Sequence, residues 1–178
     1  MIILQRRLLL AALLGLIVIA MQGQKDHSTR EQTAFSEQYP ILHPIPLPPK
    51  VLTLLLKTEE GKQGLERATD SEKKEPTQLF RAARVHLRAP EESDLVIKGT
   101  GAMSGADNDW FWIVLSAQKN PRIALFAGGS LLEVMPSRTN GYRDIRSDWS
   151  NPNGTQTRIY RFNGDRYRLW KESWREHR

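Results

Sequence analysis

Two Asn-Gly pairs, Asn140-Gly141 and Asn163-Gly164, set the strongest constraint on how this chain can fold. A tight type I′ turn needs positive φ at both central residues, which asparagine followed by glycine tolerates best. Around these pairs, short apolar runs recur about 8 to 12 residues apart, the spacing of antiparallel hairpins. Trp110-Phe111-Trp112-Ile113-Val114-Leu115 is apolar on both alternating faces, as a central strand must be. Asn120-Pro121 turns the chain into 122–127, and Gly128-Gly129 turns it again into 131–135. Asn140-Gly141 leads into 142–149. Beyond the break at Asn151-Pro152-Asn153-Gly154, residues 156–162 run through Asn163-Gly164 into a last strand, 166–171. The expected fold class is α+β, mainly β. It is an antiparallel β-meander, as a small sheet or a partly closed barrel or sandwich, with one N-terminal helix packed on it.

Upstream of the meander the period changes. Val51, Leu54, Leu55 and Leu65 can share one helical face within 50–68, and Pro48-Pro49 fixes its start. Gly61 and Gly64 weaken the second half, so the helix is expected to stop near Glu60. Residues 69–76 read as a charged loop, while 79–87 and 95–97 read as strands. Residues 21–49 are expected to be a linker, first polar and then proline-rich. Pro40, Pro44, Pro46, Pro48 and Pro49 lack amide donors and hold that stretch extended. A stiff spacer laid against the domain is the favoured reading, ahead of a ligand for a proline-recognition module. Residues 50–178 then form one β-rich domain with its N-terminal helix.

The first twenty residues are an address. Arg6 and Arg7 precede an apolar run from Leu8 to Ala20, the pattern of an export signal. The run is shorter than the roughly 20 apolar residues that span a bilayer comfortably. Val18-Ile19-Ala20 offers a small residue at the cut for cleavage after Ala20. The alternative is an uncleaved N-terminal anchor. Either way the rest of the chain is expected outside the cytoplasm, periplasmic or secreted, and any membrane contact would run through an uncleaved leader.

The 178 residues include no cysteine, which excludes disulfides, thiolate zinc sites, a cysteine nucleophile and cysteine-linked lipid. Removing Arg6 and Arg7 from the formal net charge of +6 leaves +4, a modest bias towards anionic partners.

Thr139-Asn140-Gly141-Tyr142-Arg143-Asp144-Ile145 and, more loosely, Phe162-Asn163-Gly164-Asp165-Arg166-Tyr167 resemble the FG-GAP/VCBS type of β-hairpin repeat. Similar endings occur in exported bacterial proteins. The likeness covers residues 138–171 and implies a β-rich extracellular module, in those families often calcium-stabilised and adhesive. Calcium-binding members place several aspartates before the turn glycine. Here Ser137, Arg138 and Thr139 occupy that region.

Several candidate chemistries can be weighed. Asp107 and Asp109, with Asn108, could offer hard oxygens to calcium from the glycine-rich loop 99–109, but an EF-hand loop needs more acids and a terminal glutamate. No cofactor is therefore expected. Ser116-x-x-Lys119 and Ser71-x-x-Lys74 match the S-x-x-K pattern of serine acyl-enzymes, yet Ser116 ends a strand, Ser71 falls in the charged loop, and the companion motifs are absent. His27, His43, His86 and His177 are too scattered to share a metal.

The C-terminal stretch carries the densest signal. Arg158, Arg161, Arg166, Arg168, Lys171, Arg175 and Arg178 interleave with Tyr160, Phe162, Tyr167, Trp170 and Trp174. Alternation along 166–171 sends Tyr167 and Leu169 to one face, and Arg166, Arg168 and Trp170 to the other. Arginines beside an exposed tryptophan bind anionic or planar groups by charge, stacking and cation–π attraction. The expected binding residues are Arg158, Arg161, Arg166, Arg168 and Trp170, and no catalytic residue is assigned. The expected function is a non-enzymatic exported binding module whose partner is an anionic glycan, a lipid headgroup or an acidic protein surface. Nucleic acid is not expected outside the cytoplasm. The alternative is a small extracytoplasmic hydrolase near the 99–109 loop, with Asp107 or Asp109 and His86. For the leader, N-terminal sequencing of protein recovered outside the cytoplasm should begin at Met21, and a chain still starting at Met1 would contradict cleavage.

Overall fold

The structure is a computed structural model that describes residues 31–88, 94–105 and 108–177. The expected leader, the polar part of the linker up to Arg30, and Asp107 lie outside the described residues. Among the described residues, nine strands form two antiparallel sheets. The first pairs β2 (Phe80–Val85), β3 (Asp94–Gly99), β4 (Asp109–Leu115) and β5 (Arg122–Gly129) in simple succession. The second has the order β1 (Ala34–Ser36), β6 (Leu131–Thr139), β7 (Tyr142–Asn151), β8 (Gly154–Phe162) and β9 (Tyr167–Glu176). Among the described residues, three α-helices and a 3-10 turn at Pro76–Leu79 precede the first sheet: α1 (Pro49–Leu56), α2 (Glu59–Arg67) and α3 (Asp70–Lys74). Among the described residues no helix is long and apolar enough to cross a membrane.

Strand β4 explains the layering. Phe111, Ile113 and Leu115 point into a core shared with Phe35, Leu132, Val134, Ile145, Phe162 and Tyr167 of the five-stranded sheet. Trp112 and Val114 point the other way, into a core with Val51 and Leu55 of α1, Ala68, Leu79 and Met103. The four-stranded sheet is thus the middle of three layers, and its strands are apolar on both faces because both faces are covered. Trp112 is fully buried and meets Phe80 and Phe126 with ring centroids 5.7 and 5.3 Å apart.

The turns divide into three kinds. Asn140 (φ 51°) and Gly141 (φ 80°) form the expected positive-φ pair between β6 and β7. At Asn163-Gly164 only the glycine is left-handed, with φ 105°. The hairpin there is built differently: Asn163 Oδ1 accepts from the amides of Asp165 and Arg166 at 3.0 and 2.9 Å, holding a longer loop. The Gly128-Gly129 expectation fails. Neither glycine has positive φ, β5 runs through Gly129, and Ser130 carries the chain across to the other sheet. Glycine is needed at 129 for space, because a Cβ there would lie 2.5 Å from the Asp148 carbonyl oxygen.

Three upstream expectations also change. The single helix breaks at Lys57-Thr58 and resumes, with Thr58 Oγ1 accepting from the Gly61 amide at 2.9 Å as an N-cap. It does not stop at Glu60, because Gly61 and Gly64 let α2 press closely against Leu55 and Met103. The charged loop contains α3, started by a capping box in which Thr69 N–H donates to Glu72 Oε2 at 2.8 Å. The expected linker contributes β1, whose Phe35 is fully buried and pairs with Leu132. Further on, Ile45 N–H donates to Ala82 O at 2.9 Å, laying the proline-rich segment along the outer edge of β2.

Gly129→Ala should lower stability by about 1–3 kcal/mol, because the added methyl meets backbone rather than a yielding side chain. An unchanged urea midpoint would show that the sheet-to-sheet crossing has slack at that point.

Candidate functional site

The last hairpin supplies the candidate site. Along β8, Phe162 faces the core, while Thr155, Thr157, Ile159 and Arg161 occupy the opposite face, which contributes to neither core. Their partners on β9 are Arg175, Ser173, Lys171 and Arg168 respectively. Those partners share the outer face only because the register shifts by one residue. Tyr160 pairs with Leu169 and Ile159 with Lys171, so Trp170 is the extra residue of a β-bulge. Without it, Arg168 would face away from Lys171 and Arg175.

The bulge sorts charge by face. Arg161, Arg168, Lys171 and Arg175 line the outer side, while Glu172 and Glu176 pair with Arg158 and Gly154 on the inner side. The Arg161 guanidinium carbon lies 3.4 Å from the centroid of the Trp170 ring, and that ring is 53% exposed. Beneath Arg161, its Nε is 3.8 Å from Oδ2 of the buried Asp144, too long for a hydrogen bond. Asp144 Oδ2 also accepts from Ser137 Oγ at 2.8 Å, whereas Oδ1 has no hydrogen-bond partner. Charge and ring stacking therefore hold Arg161 in place.

The structure divides the predicted binding residues. It brings together Arg161, Arg168 and Trp170. Arg158 is on the inner face, where its Nε donates to Glu172 Oε1 at 2.7 Å. That bond holds its guanidinium above the usual arginine range. Arg166 sits in the hairpin loop, with its Nε donating to Asp165 Oδ2 at 2.9 Å. Lys171 and Arg175, which join the cluster, follow from the bulge rather than from simple alternation.

The 99–109 loop gathers less. Asp109 is buried in an ion pair with Lys98 at 2.8 Å. His86 follows β2 at the end that pairs with Asp94, while Asp109 precedes Phe111, the partner of Lys98 at the far end of β3. The two residues are separated by the length of that strand. Among the described residues no cluster of three or more histidines, aspartates or glutamates could hold a metal ion. Ser71 lies in the exposed helix α3 rather than in a loop, and no residue of α3 is buried. Ser116 has φ 53° and uses its amide to bind Asp94.

A groove that sequence reasoning missed opens at the Arg175 end of the outer face. Ser130, Ser150, Thr155 and His177 come from four successive strands or their ends, and their side chains form a continuous chain. Ser130 Oγ is 3.1 Å from Ser150 Oγ, Ser150 Oγ is 3.1 Å from Thr155 Oγ1, and Thr155 Oγ1 is 3.0 Å from His177 Nε2. A cavity of about 640 Å³ lies against them. The available signal was the turn at Pro152-Asn153, which places Ser150 opposite Thr155.

No family model matches the chain, and neither a curated protein nor a solved structure matches it.

One buried acid bears on stability. Asp94 is fully buried, with Oδ1 accepting from the Ser116 amide at 3.0 Å and Oδ2 unpartnered. Burial pushes its pKa up, and the Ser116 bond and the charges of Arg88, His86 and Arg122 offset only part of that. The folded state therefore holds this proton more tightly than the unfolded chain. Its contribution should be fully present below the ordinary value of 3.8 and decline as pH rises through the raised one. Denaturation midpoints measured across the acid range should show that slope in the native sequence and lose it in Asp94→Asn.

Proposed function

We propose that this chain is an exported, non-enzymatic binding module that engages an anionic glycan along the outer face of β8 and β9. The observation that carries the reading is the bulge at Trp170, which puts Arg161, Arg168, Lys171 and Arg175 on one uncovered face with the tryptophan among them. From Arg168 to Arg175 the row runs about 20 Å along the strand. A linear array of cations, with the acids of β9 itself turned to the other face, suits an extended polyanion better than a single headgroup.

The chemistry of each member fits that role. Trp170 offers a flat apolar edge to sugar rings, and Arg161 stacks against its ring while standing 3.8 Å from the Asp144 carboxylate. Arg168 and Lys171 are exposed cations on an open strand. Lipid headgroups and acidic protein surfaces share the charge but not the linear spacing. The loop at 99–109 lends no comparable support to a hydrolase, since Asp109 is paired with Lys98.

Heparin serves as the probe. Binding should weaken steadily with added salt, since each contact displaces counterions. Replacing Arg168, Lys171 and Trp170 together by alanine should reduce affinity at least tenfold, because a charge-assisted contact is worth about 1.5–3 kcal/mol. Retained binding in that variant, or binding to anionic vesicles with none to heparin, would reject the glycan reading.

A further inference from the structure

The groove at the Arg175 end of the sheet has a chemistry different from the cationic row, and we infer that it is a subsite for a neutral sugar unit. Its volume of about 640 Å³ falls within the roughly 300–1,000 Å³ range of small-molecule sites. Its wall is the hydroxyl chain Ser130, Ser150, Thr155 and His177.

Ser130 Oγ–H donates to Ser150 Oγ at 3.1 Å and also lies 3.0 Å from the Asp148 carbonyl oxygen, so its one proton serves two acceptors. The Ser150–Thr155 and Thr155–His177 bonds can run in either direction. A row of groups able both to donate and to accept matches a polyhydroxyl ligand, whose own hydroxyls do both.

Charge in the lining agrees. The Asp148 carboxylate is neutralised by the Arg146 fork, with Nε donating at 3.0 Å to Oδ1, and Thr157 Oγ1 also donates to it at 2.8 Å. One further acid and one further cation, Glu37 and Arg175, line the opening. The rim adds an aromatic platform. Tyr39 is 57% exposed, and its backbone is cinched to Ser36 on both sides. Tyr39 N–H donates to Ser36 Oγ at 2.9 Å, and Ser36 N–H donates to Tyr39 O at 3.0 Å. An open ring on a held backbone, beside a hydroxyl-lined wall, is the pairing that sugar rings need, with C–H faces on the aromatic and hydroxyls on the polar side. This site stands apart from the cationic row, sharing only Arg175 with it.

The test uses an array of neutral and acidic glycans probed with the purified protein, followed by amide-shift titration with the best neutral binder. Shifts should centre on Ser130, Ser150, Thr155 and His177. Tyr39→Ala, at an exposed position, should weaken neutral-glycan binding at least tenfold, while Arg168→Ala leaves it unchanged. Retention of no neutral glycan, or equal retention by Tyr39→Ala, would overturn the subsite. Acidic glycans retained alone, and lost in the Arg168, Lys171 and Trp170 variant, would overturn the subsite while leaving the reading of the cationic row standing.

Discussion

Coverage of the four-stranded sheet on both faces is the constraint from which the rest of the architecture follows. Each of its strands must find apolar partners above and below, so the helices are drawn to one side and the second sheet to the other. That second sheet can then bury only one face. Its other face, carrying Arg146, Ile159 and Arg161, is left open by default. The crossing at Gly129 and Ser130 ties the two sheets together, and it works because the backbone of β7 can approach closely where there is no side chain.

Within the open face, one extra residue decides what is presented. Edge strands invite pairing with other chains, and bulges and cations are common protections against it. Strand β9 has both, at Trp170 and at Arg168, Lys171 and Arg175. The same bulge that interrupts a ladder also aligns the cations. Protection of an edge and presentation of a charged row are therefore compatible consequences of one local geometry, and the outward tryptophan is the member that protection alone does not require. A polar or charged residue at 170 would guard the edge as well without leaving a half-exposed indole.

Much of the fold was legible because its signals are local. The run at 110–115 announces double-sided burial, and Asn140-Gly141 announces its turn, since both features depend on a few adjacent residues. Thr69-x-x-Glu72 was legible in principle as a capping box but was masked by the charge of its surroundings. Gly128-Gly129 misled because glycine has two uses, positive φ and close approach, and the sequence does not say which applies. β1 was hidden because a three-residue strand around one phenylalanine has no period to detect. Of the site, the residue types were visible and their faces were not. Alternation predicts Arg168 and Trp170 together, but the arrival of Lys171 and Arg175 beside them depends on a bulge, and a bulge is set by the partner strand. The groove was invisible for a related reason: its four polar side chains lie 20, 5 and 22 positions apart and meet only through sheet order.

The length of β9 is the remaining fact to be accounted for. Of its ten residues only Tyr167 is buried, packed edge-on to Phe162 and donating from its hydroxyl to Arg143 O at 2.8 Å. That anchor would be complete with a strand half as long. The residues beyond it add ladder bonds to β8 but almost no apolar burial, and exposed ladder bonds contribute little net stability. What the extra length does supply is position. It carries Lys171 and Arg175 along the outer face and delivers His177 to Thr155, where the His177 amide also reaches Asn153 O at 3.1 Å. A strand whose far half serves neither core is best understood as the scaffold of the surface it builds.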